Sequence, residues 1–287
     1  MKIIKYILLL ATFTAVGQTS IVEDSTDQLI MGESLFENGN YTEAVKCFRK
    51  AADVGNAGAQ FALANCYRNG LGVKKDLEES AKFYRLAAEQ GNANAQFNLG
   101  TCYYFGQGVE KNYDECIKWY KMAANNGVVL AQHRLGMLYS QGMGKIPDFI
   151  EAVKWFRLAA DNGYTESQYN LSICYFYGYG VTRDYAESAK WAKIAADKGY
   201  AQAQCNLGAL YAKGFGVEQD YAEAIRLYEL SANQGYPLAQ YNLGMLYYYG
   251  EGVTQDYSKA TKWLTKAAEN GNDNAKKILN SLKEKAY

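Results

Sequence analysis

Proline is nearly missing from this chain: Pro147 and Pro237 are the only two in 287 residues. A sequence that avoids the residue least compatible with a helix interior leaves most of its length free to be helical. Histidine is scarcer, with His133 alone, and no CxxC or Cys/His spacing suggests a zinc site. Excess charge is absent too, since 30 basic residues face 30 acidic ones. Nothing in that balance builds the positive field that nucleic acid or an anionic lipid surface requires. There is no phosphate-binding loop and no nucleophile, base and orienting group at a recognisable spacing. No cofactor is expected.

What the chain does have is tyrosine, 26 residues, and a glycine that returns every 36 residues: Gly55, Gly91, Gly127, Gly163, Gly199, Gly235, Gly271. A fixed period of this length marks a repeat array. Each unit is too small to bury its apolar face alone, so neighbours must stack. Residues 91–126 serve as a specimen. Ala95, Leu99, Cys102 and Tyr103 form an apolar stripe at helical spacing. Gly106 and Gly108 end that helix, because glycine accepts the left-handed backbone of a C-cap. Val109 plugs the loop. Asn112 starts a second helix as an N-cap, and Glu115 is placed to complete a capping box. Tyr113, Ile117, Trp119 and Tyr120 furnish that helix, and Ala123–Ala124 allow close approach.

The expected architecture is all-α, a superhelical solenoid of antiparallel helix pairs. Residues 1–17 read as a signal peptide: Lys2 and Lys5 precede an apolar stretch from Ile7 to Val16 that is short for a bilayer, and Ala15 and Gly17 suit cleavage before Gln18. Residues 18–27 are expected to be a disordered linker. Residues 28–54 form a shorter capping hairpin with Gly39–Asn40 at its bend, residues 55–270 six full repeats, and residues 271–287 a capping helix. In the repeat 127–162 Lys145 replaces the loop valine and Pro147 precedes the cap residue Asp148. No membrane insertion is expected after cleavage. The short leader and the lack of a retention tail favour a bacterial periplasmic or extracellular location over an endoplasmic reticulum lumen.

The six cysteines are Cys47, Cys66, Cys102, Cys116, Cys174 and Cys205. Three of them alternate with leucine at one repeat position, so they read as small buried hydrophobes. Only Cys102 and Cys116 lie on two helices of one hairpin where a disulfide is conceivable; free thiols are the favoured reading.

The segments AQCNLGALYAKGFGVEQDY (203–221) and AQYNLGMLYYYGEGVTQDY (239–257) closely resemble the Sel-one-like repeat family, relatives of the tetratricopeptide repeat. The N-terminal hairpin, lacking the double-glycine loop, looks more like a tetratricopeptide repeat. The resemblance implies an adaptor or assembly scaffold. A disulfide-bearing secreted subgroup, to which penicillin binding and weak β-lactam hydrolysis are attributed, has cysteines where this chain has Ala88, Ala124, Ala160 and Gln60, Gln96, Gln132. That framework and those activities therefore transfer poorly.

Helical geometry selects the candidate binding residues. Successive residues turn by about 100°, so positions opposite the core stripe of each first helix face the expected hollow. There stand Phe97, His133, Tyr169 and Tyr241, and one or two turns on Tyr104, Phe176 and Tyr248. Beside them run Asn98, Asn170, Asn206 and Asn242, with Arg134 in the same slot. An amide both donates and accepts, so it can hold an extended chain without reading its sequence. By the resemblance, such an asparagine often grips a ligand backbone. The expected function is an exported scaffold binding a protein or extended peptide on its concave face, without catalysis. The alternative is an envelope enzyme, such as a weak β-lactam or peptidoglycan hydrolase.

Overall fold

The computed structural model describes residues 23–143 and 146–285. The expected signal peptide, residues 1–17, lies outside them, as does Lys145. Helix α1 runs over residues 23–37, so the expected disordered linker is already helical from residue 23. There follow α2 (Tyr41–Asp53), α3 (Ala57–Asn69), α4 (Leu77–Glu89), α5 (Ala93–Phe105), α6 (Tyr113–Asn125), α7 (Val129–Gln141) and α8 (Phe149–Asp161). Next come α9 (Thr165–Tyr177), α10 (Tyr185–Asp197), α11 (Ala201–Lys213), α12 (Tyr221–Asn233), α13 (Pro237–Tyr249), α14 (Tyr257–Glu269) and α15 (Asp273–Lys285). No strand occurs among the described residues. The fold is the expected α/α solenoid, with adjacent helix pairs in contact. We call the first helix of each repeat (α3, α5 and so on) its A helix and the second its B helix.

The chain divides into two compact units, residues 1–131 and 132–287. In the first, the specimen repeat is built as its residues dictate. Ala95, Leu99, Cys102 and Tyr103 of α5 are buried, as are Trp119, Tyr120, Ala123 and Ala124 of α6. Gly106 closes α5 in the left-handed conformation, φ +70°. Asn112 opens α6, its side-chain oxygen accepting from the amides of Asp114 and Glu115.

One part of that expectation is corrected. The glutamate of the capping box does not serve the N-cap amide, because a backbone carbonyl is already there. Asn112 N–H donates to the Tyr103 carbonyl at 3.0 Å, and Asp76 N–H to Tyr67 at 2.9 Å. The second unit repeats the bond from Asp184 to Tyr175 and from Asp220 to Tyr211. The released glutamate pairs along its own helix instead, as Glu115 does with Lys118 and Glu187 with Lys190.

The second glycine of each loop has a different task from the first. A Cβ on Gly108 would lie 1.8 Å from the Leu77 carbonyl oxygen, at the start of the preceding repeat's B helix. In the second unit Gly180 and Gly216 sit equally close to Phe149 and Tyr185. These glycines let loop backbone touch helix backbone between repeats, and that contact sets the stacking distance.

A buried glutamine ladder ties repeats together from inside. Gln96 donates to the Ala88 carbonyl and accepts from Asn126 at 2.9 Å. In the second unit Gln204 and Gln240 repeat both bonds, accepting from Gln234 and Asn270. All six cysteines are buried and free, so Cys102 and Cys116 do not pair.

Candidate partner-binding surface

The candidate rings sit on the A helices but are not free-standing. In the first unit Phe97 is half-buried and stacks on Tyr120 of α6 at 5.3 Å. Tyr104 packs edge-on against Phe105 and Tyr113. Asn98 is half-buried beside them.

In the second unit His133 departs from the expectation. It is buried, with Nδ1 2.9 Å from Ser167 Oγ and its ring against Phe156 and Tyr164. Burial, helped by the nearby Arg134 cation, lowers its pKa to about 4. It is a core residue, not an open contact. Arg134, next in sequence, is exposed. Tyr169, Asn170, Phe176, Asn206, Tyr241, Asn242 and Tyr248 are all half-buried. Tyr169 meets Tyr200 edge-on at 5.4 Å, and burial pushes its hydroxyl pKa up to about 12. Tyr248 lies against Tyr249 and Tyr257.

The asparagines do reach a neighbouring repeat. Asn170 Nδ2 lies 3.7 Å from Met137 Sδ, and Asn242 Nδ2 lies 3.8 Å from Cys205 Sγ. Asn206 meets the Tyr169 side chain, and Asn242 that of Tyr228. The two sulfur contacts are weak ones for an amide, and they leave its oxygen unused.

Sequence reasoning missed a set of rings outside the chosen helix face. Tyr177 ends α9, Tyr179 fills the gap between its two loop glycines, and Phe215 fills the same gap one repeat later. They remain 57%, 43% and 40% exposed. Tyr179 stacks on Phe149 and on Tyr177, while Phe215 stacks on Tyr185 at 4.9 Å. The close glycine contact causes this: it brings each loop onto the first residue of the preceding B helix. An aromatic residue inside Gly-x-Gly was the available signal. Tyr164, Tyr200 and Tyr236 were also missed. They occupy N-cap positions where Asn56 and Asn92 make side-chain caps, and make none themselves.

A stack of regular helix pairs, joined by glycine-paired loops and edged with rings, is the architecture of a repeat scaffold. The Sel1 repeat matches residues 29–56, 57–92, 93–128, 129–164, 165–200, 201–236 and 237–272, and the chain belongs to that family. The N-terminal hairpin thus counts as a repeat of the same family, despite its single-glycine bend. A crystal structure of a protective antigen from uropathogenic Escherichia coli, displaying an SLR fold, is similar with 34% identity and a TM-score of 0.83. The match covers 96% of this chain and 60% of the antigen, so this chain spans less than two thirds of that protein. A Sel1 repeat protein from Oxalobacter formigenes is 33% identical over 84% of this chain and 96% of its own, with a TM-score of 0.69. No curated protein matches the sequence. Sel1-repeat solenoids are, as a rule, protein-interaction scaffolds. No described helix is long and apolar enough to cross a membrane, and no group of three or more His, Cys, Asp or Glu among the described residues is placed to hold a metal ion.

Proposed function

We propose that this chain is an exported adaptor that holds a protein partner, in extended form, along the A helices and ring-bearing loops of the unit from Gln132 onward. One observation carries the reading: Tyr177, Tyr179 and Phe215 are large rings left open to solvent while already stacked on neighbours. Rings held in place lose little freedom when a partner arrives, and aromatic anchors supply much of an interface's energy. Tyr169, Phe176, Tyr241 and Tyr248 extend the apolar surface, Asn170, Asn206 and Asn242 offer backbone-pairing amides, and Arg134 adds an exposed cation. Phe97, Asn98 and Tyr104 are the counterparts in the unit ending at Ala131. His133 takes no part, because it is buried.

Export rests on residues 1–17. N-terminal sequencing of the secreted form should begin at Gln18; an intact Met1 would remove that half of the proposal. For the binding half, a photo-crosslinking phenylalanine replaces Tyr177 in the native host, with Lys154 as a control on an exposed helix face. A discrete protein adduct at position 177 and none at 154 is expected. Equal capture at both positions, or none at 177, would sink it.

A further inference from the structure

A groove between neighbouring A helices occurs in both units, but its lining differs. Between α9 and α11 the earlier helix contributes Ile173, Phe176 and Tyr177. Between α1, the A helix of the first hairpin, and α3, the residues in the same register are Glu33, Phe36 and Glu37. Gly32 sets that register, because it stands to Phe48 as Gly100 stands to Tyr120: a Cβ on either glycine would lie 2.6 Å from the ring. No later A helix carries a carboxylate at the position of Glu33 or of Glu37.

The α1–α3 groove holds about 470 Å³ and has an apolar body. Phe36, Phe61 and Ala62 line it, with the buried Phe48 behind them. Gly58 lets α3 come this close to α1, since a Cβ there would lie 2.8 Å from Leu29 Cδ2. The two half-buried rings are held from behind: Phe36 meets Tyr41 edge-on at 4.9 Å, and Phe61 is tilted against Tyr84 at 6.0 Å.

The rim is anionic and unanswered. Glu33 and Glu37 are exposed, four residues apart and so on one side of α1, and neither makes an ion pair with a described residue. No lysine or arginine lines the groove among the described residues. Arg68, further along α3, is engaged by the Tyr84 hydroxyl. The surroundings add no cation: residues 23–45 include Glu23, Asp24, Asp27, Glu33, Glu37 and Glu43 and no basic residue, and Glu43 is already paired with Lys46. Like charges at this helical spacing repel, and a guest cation relieves them. A long basic side chain has the matching form. Its aliphatic stem lies along apolar surface while its head stays in water, and aromatic faces attract the head.

We propose that the α1–α3 groove seats a basic side chain, lysine or arginine, of the bound protein partner, with its stem on Phe36 and Phe61 and its cation at Glu33 and Glu37. The inference rests on the reading of the A helices as partner-binding, but this groove can be tested without the partner. The probe is acetyl-glycyl-lysyl-glycinamide, titrated at low salt into the isotope-labelled full chain and followed by amide chemical shifts. The norleucine analogue, with the same stem and no charge, is the control. Saturable shifts centred on Glu33, Glu37, Phe61 and Ala62 are expected, with the lysine probe binding about fivefold more tightly than the control. The double variant Glu33→Gln, Glu37→Gln should bind both probes alike, and Phe61→Ala should weaken both. Added salt should narrow the lysine preference of the unaltered chain, which gives the same answer should a variant misfold. Equal affinity for the two probes at low salt, shifts centred elsewhere, or none at all would overturn the proposal. So would a dimer of the unaltered chain that the double variant abolishes, since the groove would then belong to lysines of a second copy. A lysine preference together with failed crosslinking at Tyr177 would sink the partner reading and leave the groove's preference standing.

Discussion

Lys198 reaches back to the Gly163 carbonyl at 2.8 Å and so leaves the buried side-chain oxygen of Gln168 without a donor among the described residues. In other repeats that donor is an amide 30 residues after the glutamine: Gln90 for Gln60, Asn126 for Gln96, Gln234 for Gln204 and Asn270 for Gln240. Lysine at 198 carries its charge out towards solvent rather than into the ladder. An unpartnered buried acceptor costs on the order of 1–3 kcal/mol. Lys198→Asn should therefore stabilise the protein by about 1 kcal/mol, read as a raised urea midpoint at unchanged slope. A lowered midpoint would show that the Gly163 contact matters more.

The two kinds of repeat glycine should respond differently to alanine. Gly199 has φ +85°, and a Cβ there would meet nothing within 4 Å, so Gly199→Ala incurs only the left-handed backbone penalty of about 1 kcal/mol. Gly180 has φ +68°, and its Cβ would also lie 2.1 Å from the Phe149 carbonyl oxygen. Two backbones cannot part there without opening the repeat interface. Gly180→Ala should cost at least twice as much as Gly199→Ala in chemical denaturation, and it should unstack Tyr179 from Phe149. Equal costs would mean that the loop contact is soft.

How much of this was legible depended on how local each feature is. The stripe Ala95, Leu99, Cys102 and the N-cap Asn112 follow from spacing and side-chain chemistry within one turn, and the structure has them as read. The fate of Phe97 did not follow. A ring opposite the core stripe meets either solvent or the second helix of its hairpin, and the crossing of α5 and α6 decides in favour of Tyr120. The capping glutamate was misread for a similar reason: the N-cap amide of Asn112 finds the Tyr103 carbonyl, a partner that exists only once the loop has folded. The stacked pair Tyr185 and Phe215 comes from contact between successive repeats, of which the sequence carries only an aromatic residue set between Gly214 and Gly216.

His133 makes the protein acid-sensitive. Its pKa falls from an ordinary 6.5 to about 4 in the folded state, chiefly through burial. The unfolded chain therefore binds the proton more readily between those values, and stability falls as pH drops through that window. Arg134 adds to the effect and Glu166 opposes it. The loss is on the order of 3 kcal/mol by pH 4. His133→Phe, the residue found at 97, should flatten the stability profile between pH 6.5 and 4 while costing some stability at pH 7, because Ser167 Oγ loses its partner. An unchanged acid slope in the variant would assign the sensitivity to the carboxylates.

The cysteines should be chemically silent in the folded protein. Burial raises the thiol pKa of Cys66, Cys102 and Cys174 to about 11, and of Cys116 and Cys205 to about 12. A thiol must ionise to attack an alkylating reagent or a disulfide. At pH 8 these groups hold their protons, and all six cysteines are shielded by the helix packing. Native protein should therefore take up almost no iodoacetamide over an hour, and all six should label once the chain is unfolded in guanidinium. Mass spectrometry of the native, non-reduced chain should show no loss of two hydrogens per cysteine pair. Rapid labelling of Cys205 alone would point to local opening around Asn242, whose amide rests on that sulfur. The position is informative because Cys205 belongs to the same face as Asn206, so its exposure would report whether the proposed partner surface breathes before anything binds to it.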